Sequence, residues 1–287
     1  MTADERVDVE IPLDRPTPAR AYDWLLGGKE NYAVDREFMT ENLKRFPQVL
    51  DSARQNRLFL YRAVRYLVRD AGIDQFIDLG CGLPTNNNVH QVAQQFNPNV
   101  KVVYVDIDPI VLAHGRALLA EDDSTAVITA DFRDPSVVLE HPDTKRLIDF
   151  SRPVAMLFLS VVHFLGDDDE VGKGPRHALR YIIDEVAPSG SYLTLSHLVV
   201  TDPVKRQMIR EIGSKAGMNV QVRSPEEVDA LLDGLEPVEP GLVNIDDWRP
   251  DPDQPPLNPV PPELRIYEGM SAKNPEMFEY GGVLRKP

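Results

Sequence analysis

The fold of this chain is decided by the stretch Gln75-Phe76-Ile77-Asp78-Leu79-Gly80-Cys81-Gly82-Leu83-Pro84-Thr85. Its first half is a short apolar run with β propensity, typical of a buried strand, and the run stops at Gly80 and Gly82. Glycine has no Cβ, so both positions can adopt positive φ angles and let a ligand approach the main chain closely. The stretch predicts a strand followed by a ligand-binding loop, although a strand that simply ends in a glycine turn has the same pattern.

The residues around the two glycines disfavour a dinucleotide ligand. A dinucleotide fingerprint requires a third glycine at position 85, where this chain has Thr85. Asp78 adds a negative charge at the mouth of the loop, which disfavours a diphosphate and favours a ligand with an ammonium or sulfonium group. A nicotinamide oxidoreductase therefore fits the loop poorly.

The whole chain has the composition of a large, acidic, folded protein. Its 287 residues are 42% hydrophobic, enough for one large α/β domain with appendages or for two small domains. The net charge of −15 argues against binding to nucleic acid or to an anionic membrane. No signal peptide and no 18-residue apolar stretch is visible, so we expect a cytoplasmic protein.

Three smaller features complete the composition. Cys81 is the only cysteine, which excludes an intrachain disulfide and a cysteine metal cluster, and it suits the lining of a pocket. The acidic run from Asp167 to Glu170 could bind a hard cation but lacks spaced ligands, so no metal site is predicted. One helix carries the best candidate basic patch, for which a solvated face is the favoured interpretation; its arginines are Arg54, Arg57, Arg62, Arg65 and Arg69.

Strand-like runs alternate with helical segments after the glycine loop. Apolar runs at 101–105, 126–130, 154–159 and 191–196 follow the first strand, with a short strand at 242–245 and a last strand near 277–284. Residues 249–263 contain seven prolines and form an exposed connection. The alternation predicts an α/β fold with a doubly wound, mostly parallel sheet.

The ends of these strands carry the candidate binding residues, because ligands bind outside the carboxyl ends of strands in such sheets. Asp106 ends the second strand and can accept hydrogen bonds from both hydroxyls of a ribose, with Ile107 beside it. Asp131 and Phe132 follow the third strand and suit an adenine amino group and ring face. Ser160 follows the fourth strand and should lie near the reacting centre.

Two histidines are the candidate general bases. His163 follows the fourth strand and His197 the fifth, so both are expected at the rim of the site, where an imidazole titrates in a useful range. A histidine that only hydrogen-bonds across the sheet edge gives the same pattern.

The N-terminal segment is a candidate lid. Residues 1–48 precede the sheet domain, predicted as 49–287, and the helix around Tyr22 should end at the pair Gly27-Gly28. Tyr22, Gly28 and Asn31 lie in a stretch rich in aromatic and hydrogen-bonding side chains, which suits a cover over a flat polar ligand. An N-terminal helix that is merely packed on the core remains the alternative.

Three motifs carry a family resemblance. They are residues 21–32, AYDWLLGGKENY, residues 78–85, DLGCGLPT, and residues 104–109, YVDIDP. The chain resembles class I S-adenosylmethionine-dependent methyltransferases over residues 70–284. More narrowly, it resembles an uncharacterised actinobacterial methyltransferase family formerly labelled a domain of unknown function.

The resemblance implies a Rossmann-like, seven-stranded sheet with an antiparallel last strand. It implies S-adenosyl-L-methionine as cofactor and S-adenosyl-L-homocysteine as product, and it supplies no acceptor. Carried over by position, the cofactor's methionine moiety lies at Asp78, Gly80 and Gly82, its ribose at Asp106, and its adenine at residues 131 and 132. Ser160 matches the end of strand four.

One departure from the pattern bears on the acceptor. Residues 160–164 read SVVHF, whereas nitrogen-directed nucleic-acid and protein methyltransferases often have Asn or Asp, two prolines and an aromatic residue there. We therefore expect a small-molecule acceptor with a hydroxyl, carboxyl or amine group. A catalytically silent S-adenosylmethionine sensor remains the alternative.

Overall fold

A mixed sheet forms the centre of the protein in the computed structural model, which describes residues 12–85, 87–119, 123–167 and 174–287. The strands are β1 Gln75–Leu79, β2 Lys101–Asp106, β3 Thr125–Thr129, β4 Ala155–Leu159, β5 Tyr192–Val200, β6 Glu236–Pro237, β7 Val243–Asn244 and β8 Met277–Arg285. Their order is β3-β2-β1-β4-β5-β8-β6, with β7 also paired to β8. The first five strands are parallel and β8 runs antiparallel to β5.

The sheet has eight strands, whereas seven were predicted. The difference arises because two short strands, β6 and β7, share the edge position beside β8. Both β6 and β7 pair with the edge of β8 that faces away from β5. Between them, Pro240 has no N–H to donate and Gly241 adopts a φ of 98°, so the chain turns out of the ladder. The predicted fold class, mostly parallel with an antiparallel last strand, is confirmed.

Helices cover both faces of the sheet. They are α1 Pro18–Leu25, α2 Ala33–Arg45, α3 Val49–Arg69, α4 Val89–Gln94, α5 Pro109–Leu119, α6 Pro135–Glu140, α7 Pro142–Leu147, α8 Pro175–Tyr181, α9 Pro203–Lys215, α10 Pro225–Asp229 and α11 Met270–Lys273. One apolar layer joins α3 and α4 to β1 and β2 through Phe59, Val92 and Phe76. A second apolar layer joins helices α6, α7 and α8 to the opposite face of the sheet, for example through Val138 and Leu179. This is the doubly wound arrangement.

The N-terminal helices pack on α3 and on the last third of the chain. Trp24 and Leu25 share an apolar cluster with Leu50 of α3 and with Val260 and Leu264. The turn after α1 is closed by Gly27, whose φ is 79°, as the predicted helix end requires. The division of the chain at residue 48 stays a prediction.

Two interpretations of local sequence are wrong. β5 continues to Val200 rather than ending at Ser196, because β8 pairs with its whole length. The arginines of α3 do not form one solvated face, since Arg62 is buried and donates to the Trp248 and Ile245 carbonyls.

Two further expectations concern the membrane and the acidic run. In the parts of the chain that the structure describes, no helix has the length and apolarity needed to cross a membrane. Of the acidic run, residues 168–170 lie outside the described residues.

Candidate functional site

The glycine loop is fastened to the end of β2. The amides of Gly80 and Cys81 both donate to the Val105 carbonyl, at 2.8 and 3.2 Å. Gly80 has a φ of 77°, and a Cβ there would lie 2.3 Å from a methyl of Val161. Gly82 has a φ of 65°, and a Cβ there would meet no atom within 4 Å. Gly80 therefore lets the loop pack on the β4 exit, while Gly82 exposes main chain to open space.

Asp106 is held in one orientation at the end of β2. Its Oδ2 accepts from the Gly82 amide at 2.8 Å and its Oδ1 from the Asp108 amide at 2.9 Å. Burial raises the pKa of this carboxyl, and the two amides oppose the rise. Each oxygen keeps a lone pair, so the carboxylate can still accept from a diol. Ile107, the next residue, exposes 61% of its surface and offers an apolar face beside the acid.

Asp78 is buried at the end of β1, next to α3. Burial raises its pKa to about 7, the Arg57 guanidinium lowers it, and the Asp106 charge raises it further. Asp78, Arg57, Cys81 and Gly82 lie together on the wall of a cavity of about 20 Å³ beneath the glycine loop. An acid that titrates near neutral pH is thus placed beside the loop.

The residues predicted to contact adenine lie at the end of β3, beside Asp106. The Ala130 amide donates to the Asp106 carbonyl at 3.0 Å, which fixes the two strand ends together. Asp131 faces Arg133, with an oxygen-to-nitrogen distance of 2.6 Å. Phe132 packs edge-on against Phe158 in the core, with ring centroids 5.8 Å apart. Their contact with an adenine ring stays a prediction.

Ser160 leaves β4 in a strained conformation and contacts a buried acid. Its φ of 56° is unusual for a residue with a side chain and marks a constrained site. Its hydroxyl donates to Glu279 Oε1 of β8 at 2.7 Å. Burial raises the pKa of Glu279 to about 8, against the effect of the Ser160 bond. Glu279 Oε2 is buried with no hydrogen-bond partner among the described residues.

A chain of hydrogen bonds joins this acid to the N-terminal helix. The Ser160 amide donates to Ser196 Oγ at 2.9 Å, and that hydroxyl donates to Asn56 Oδ1 at 2.6 Å. Asn56 Nδ2 donates to the Tyr22 hydroxyl at 2.9 Å, which in turn donates to the Ala53 carbonyl at 3.0 Å. Tyr22 therefore ties α1 to the carboxyl end of β4 and to Ser196 in the middle of β5.

The prediction that His163 and His197 lie at the rim is wrong. Both are buried, and their rings pack 5.5 Å apart. His197 lies inside the extended β5, where Nδ1 donates to the Leu198 carbonyl and Nε2 lies 3.0 Å from Arg223 Nη1. Burial and the Arg223 charge lower the pKa of His163 to about 3. Burial lowers the pKa of His197 far below its ordinary value, and the nearby His163 and Arg223 lower it further. His197 thus contacts Arg223, and a catalytic role for either histidine stays a prediction.

Gly28 and Asn31 build the turn that follows α1. Asn31 Nδ2 and the Glu30 amide donate to Asp23 Oδ2 at 2.8 and 2.9 Å. A Cβ on Gly28 would lie 1.9 Å from Asp23 Oδ1, so no larger residue fits beside the acid. Glu30 Oε2 also lies 3.5 Å from His114 Nε2 of α5. Direct contact of Gly28 and Asn31 with a ligand stays a prediction.

The N-terminal helix lies directly against the glycine loop. Ala19 packs against an apolar cluster that contains Leu83 of the loop and Ile110 of α5. The N-terminal segment therefore reaches from α3 across the loop to α5, as a cover over this part of the site would.

Sequence reasoning missed two site residues, Glu279 and Arg57. The signal for Glu279 is an acid inside an otherwise apolar strand, and buried acids of this kind mark functional sites. Arg57 was hidden among the helix arginines, and only its neighbours Asp78 and Tyr22 reveal its position.

Comparison with known proteins identifies the family of the chain. Residues 4–287 match the model of a family described as S-adenosyl methyltransferase. A proposed methyltransferase from Thermobifida fusca is 44% identical, with 96% of this chain and 97% of that chain covered and a TM-score of 0.80. A DUF574 family protein from Streptomyces avermitilis is 34% identical, with 97% and 100% covered and a TM-score of 0.84.

More distant matches share the fold. A geranyl diphosphate methyltransferase in complex with S-adenosylmethionine is 15% identical, with 92% of this chain and 94% of that chain covered and a TM-score of 0.50. No curated protein matches the chain. The chain thus belongs to the S-adenosyl methyltransferase family and is an S-adenosylmethionine-dependent methyltransferase, with S-adenosylhomocysteine as its product.

Proposed function

We propose that this enzyme methylates a small molecule on a hydroxyl or amine group, with a carboxyl group as the less favoured acceptor. The observation that carries the proposal is the buried Glu279 carboxyl, bonded to Ser160 at the end of β4. Hydroxyl and amine acceptors carry a proton that a nearby base can remove, whereas a carboxylate acceptor has none to give and would be repelled by a second carboxylate.

The residues at the strand ends fit the cofactor. Open space at Gly82 lets the cofactor approach the main chain. The oriented Asp106 carboxylate suits the ribose hydroxyls, and the exposed Ile107 side chain suits the face of the adenine ring. Asp78 adds negative charge for the cationic end, and Gly80 shapes the loop around it. When bound, S-adenosylmethionine supplies a methyl group that its sulfonium sulfur already activates.

The chain itself positions the acceptor and takes its proton. Tyr22 and Asn56 hold α1 beside the end of β4, which keeps water out and orients the acceptor. Glu279 is the proposed base. With a pKa of about 8, this carboxyl is mostly protonated at about pH 7 and ionises as the pH rises, so its action as a base should increase toward and above pH 8. Its Oε2 is the oxygen that Ser160 leaves free to take the proton. Cytoplasmic location remains a prediction.

The experiment is transfer of a labelled methyl group. Purified enzyme is incubated with S-adenosylmethionine carrying a labelled methyl and with fractions of small molecules extracted from cells. We expect label in a small molecule, and the rate should fall about 10²- to 10⁴-fold in Glu279→Gln. Affinity for S-adenosylhomocysteine should be unchanged in that variant.

Other results would contradict the proposal. Label found only in protein or nucleic acid would refute a small-molecule acceptor. Tight binding of S-adenosylhomocysteine with no transfer to any fraction would favour the sensor alternative. Unchanged turnover in Glu279→Gln would remove the base from the scheme.

A further inference from the structure

A second, larger cleft opens beside the glycine loop, on the side of α3 and α4. Its volume is about 460 Å³, within the range of sites for small organic ligands. Four elements form it: the end of α1, α3, the segment after the glycine loop with the start of α4, and the proline-rich segment at 256–258.

The cleft concentrates positive charge in an acidic protein. Arg54 and Arg57 both line it, and none of the described residues on its walls is acidic. The chain as a whole carries a net charge of −15. A pocket with two cations and no acid on its described walls therefore differs in charge from the chain as a whole and attracts a negatively charged ligand.

Arg54 has hydrogen-bonding capacity that the protein does not use. Its Nη2 donates to the Asn258 carbonyl at 2.7 Å, while its Nη1 is buried with no hydrogen-bond partner among the described residues. It forms no ion pair with any of them. A carbonyl acceptor leaves the guanidinium charge intact, and the Asp51 and Glu268 carboxylates act on it from beyond ion-pair distance. The unused Nη1 and the remaining positive charge suit an anionic partner.

The remaining walls suit an organic molecule rather than a bare inorganic ion. Thr85, Asn87 and Gln91 supply neutral hydrogen-bonding groups, and Leu26 and Leu257 supply apolar surface. The mixture of polar and apolar groups suits a small polar organic molecule, with apolar contacts for its body and hydrogen bonds for its substituents.

Arg57 connects the cleft to the cofactor site. It lines both the cleft and the cavity beneath the glycine loop, where Asp78 lies opposite it. Its Nη2 donates to the Asn87 carbonyl at 2.9 Å, which fixes it at the boundary. Arg57 therefore lies between the cleft and the cavity beneath the glycine loop.

We propose that this cleft binds a carboxylate or phosphate group of the methyl acceptor, with Arg54 as its main partner. The inference rests on the function proposed above and narrows the acceptor to a molecule with a nucleophilic hydroxyl or amine and a separate anionic group. The methionine carboxylate of the cofactor has the same chemistry, so the experiment must separate these two sources.

The test compares matched acid and amide probes. Calorimetry measures 4-hydroxybenzoate and 4-hydroxybenzamide binding to protein saturated with S-adenosylhomocysteine. We expect the acid to bind at least about ten-fold more tightly than the amide, because one good charge pair contributes that much. The preference should vanish in Arg54→Met, survive in part in Arg54→Lys, and persist in Arg69→Met, which removes an exposed arginine of the same helix.

Each other outcome overturns the inference in a distinct way. Equal affinity of acid and amide would refute an anion site. A ten-fold loss of S-adenosylhomocysteine affinity in Arg54→Met would assign the cleft to the cofactor's own carboxylate. Failure of the unmodified protein to bind S-adenosylhomocysteine at all would instead refute the cofactor site on which the proposed function depends.

Discussion

Asp106 is the residue on which cofactor affinity should depend most strongly. Its two oxygens are fixed by the Gly82 and Asp108 amides, so they meet ribose hydroxyls without reorganisation. Asp106→Asn should weaken S-adenosylhomocysteine binding by about 1.5 to 3 kcal/mol, the contribution of one hydrogen bond to a charged group. Titration calorimetry measures the loss.

The control for Asp106 is an exposed acid that is not part of the candidate site. Asp233 is exposed, and Asp233→Asn should leave the affinity unchanged. Equal affinity in both variants would remove Asp106 from the site.

Glu279 should make the stability of the protein fall as the pH rises. Its pKa is raised from 4.5 to about 8 by burial, so between these values the unfolded chain releases a proton that the folded protein retains. The stabilisation is therefore complete below about pH 4.5 and is lost as the pH rises through about 8. The loss should be on the order of 2 to 4 kcal/mol.

The measurement is urea unfolding between pH 5 and 9, on the wild-type protein and on Glu279→Gln. Asp78 titrates in the same direction, with a pKa of about 7, so the wild-type slope contains both groups. The variant should lose only the Glu279 part and keep the parts of Asp78, Asp106 and the other shifted groups, since glutamine still accepts from Ser160 and does not titrate. Identical slopes in the two proteins would show that Glu279 is ionised in the native state.

At the scale of elements, the turn after α1 decides whether the N-terminal segment keeps its place. A side chain at position 28 would overlap Asp23, which anchors the Glu30 amide and Asn31. Gly28→Ala should cost about 1 to 3 kcal/mol of unfolding free energy, as overpacking typically does. It should also speed proteolytic cleavage within residues 12–48.

Gly166→Ala is the matched control. The nearest atom to a Cβ there is the end of the Asn219 side chain, which is exposed and can rotate away. This variant should therefore change stability by less than about 0.5 kcal/mol. Equal effects of the two substitutions would mean that the turn adapts without loss.

Elements with local signals were predictable from sequence. The Ser224 capping box, with Glu227 three residues on, marks the start of α10 in the sequence, and Pro109 and Pro203 mark those of α5 and α9. The length of β5 was not predictable, because its last residues are held by β8, some eighty residues away in sequence. Because β5 is longer than predicted, His197 lies inside the strand and is buried, rather than at the rim of the site.

At the scale of the whole molecule, the candidate site also has one part that the sequence predicts and one part that it does not. Asp106 and Gly82 follow from strand ends and spacing, which are properties of one βαβ unit. Glu279 and Ser160 meet only because β8 inserts beside β5, and Arg57 reaches Asp78 only because α3 packs on β1. Contacts between distant segments leave no periodic trace in a single sequence, so the reacting side of the site required the structure.

The cofactor should stabilise the whole molecule, since its predicted partners lie in segments that pack as one body. Tyr22 of α1 is bonded to α3, and α3 shares one apolar layer with the sheet. At a concentration one hundred times its Kd, S-adenosylhomocysteine adds about 2.7 kcal/mol, which for a chain of this size raises Tm by about 4 to 6 °C. NAD should give no shift, because position 85 lacks the third glycine and Asp78 faces the pyrophosphate position. At the same ligand concentrations, Asp106→Asn should show a smaller shift with S-adenosylhomocysteine and still none with NAD. A shift with NAD alone would mean that the glycine loop binds a dinucleotide after all.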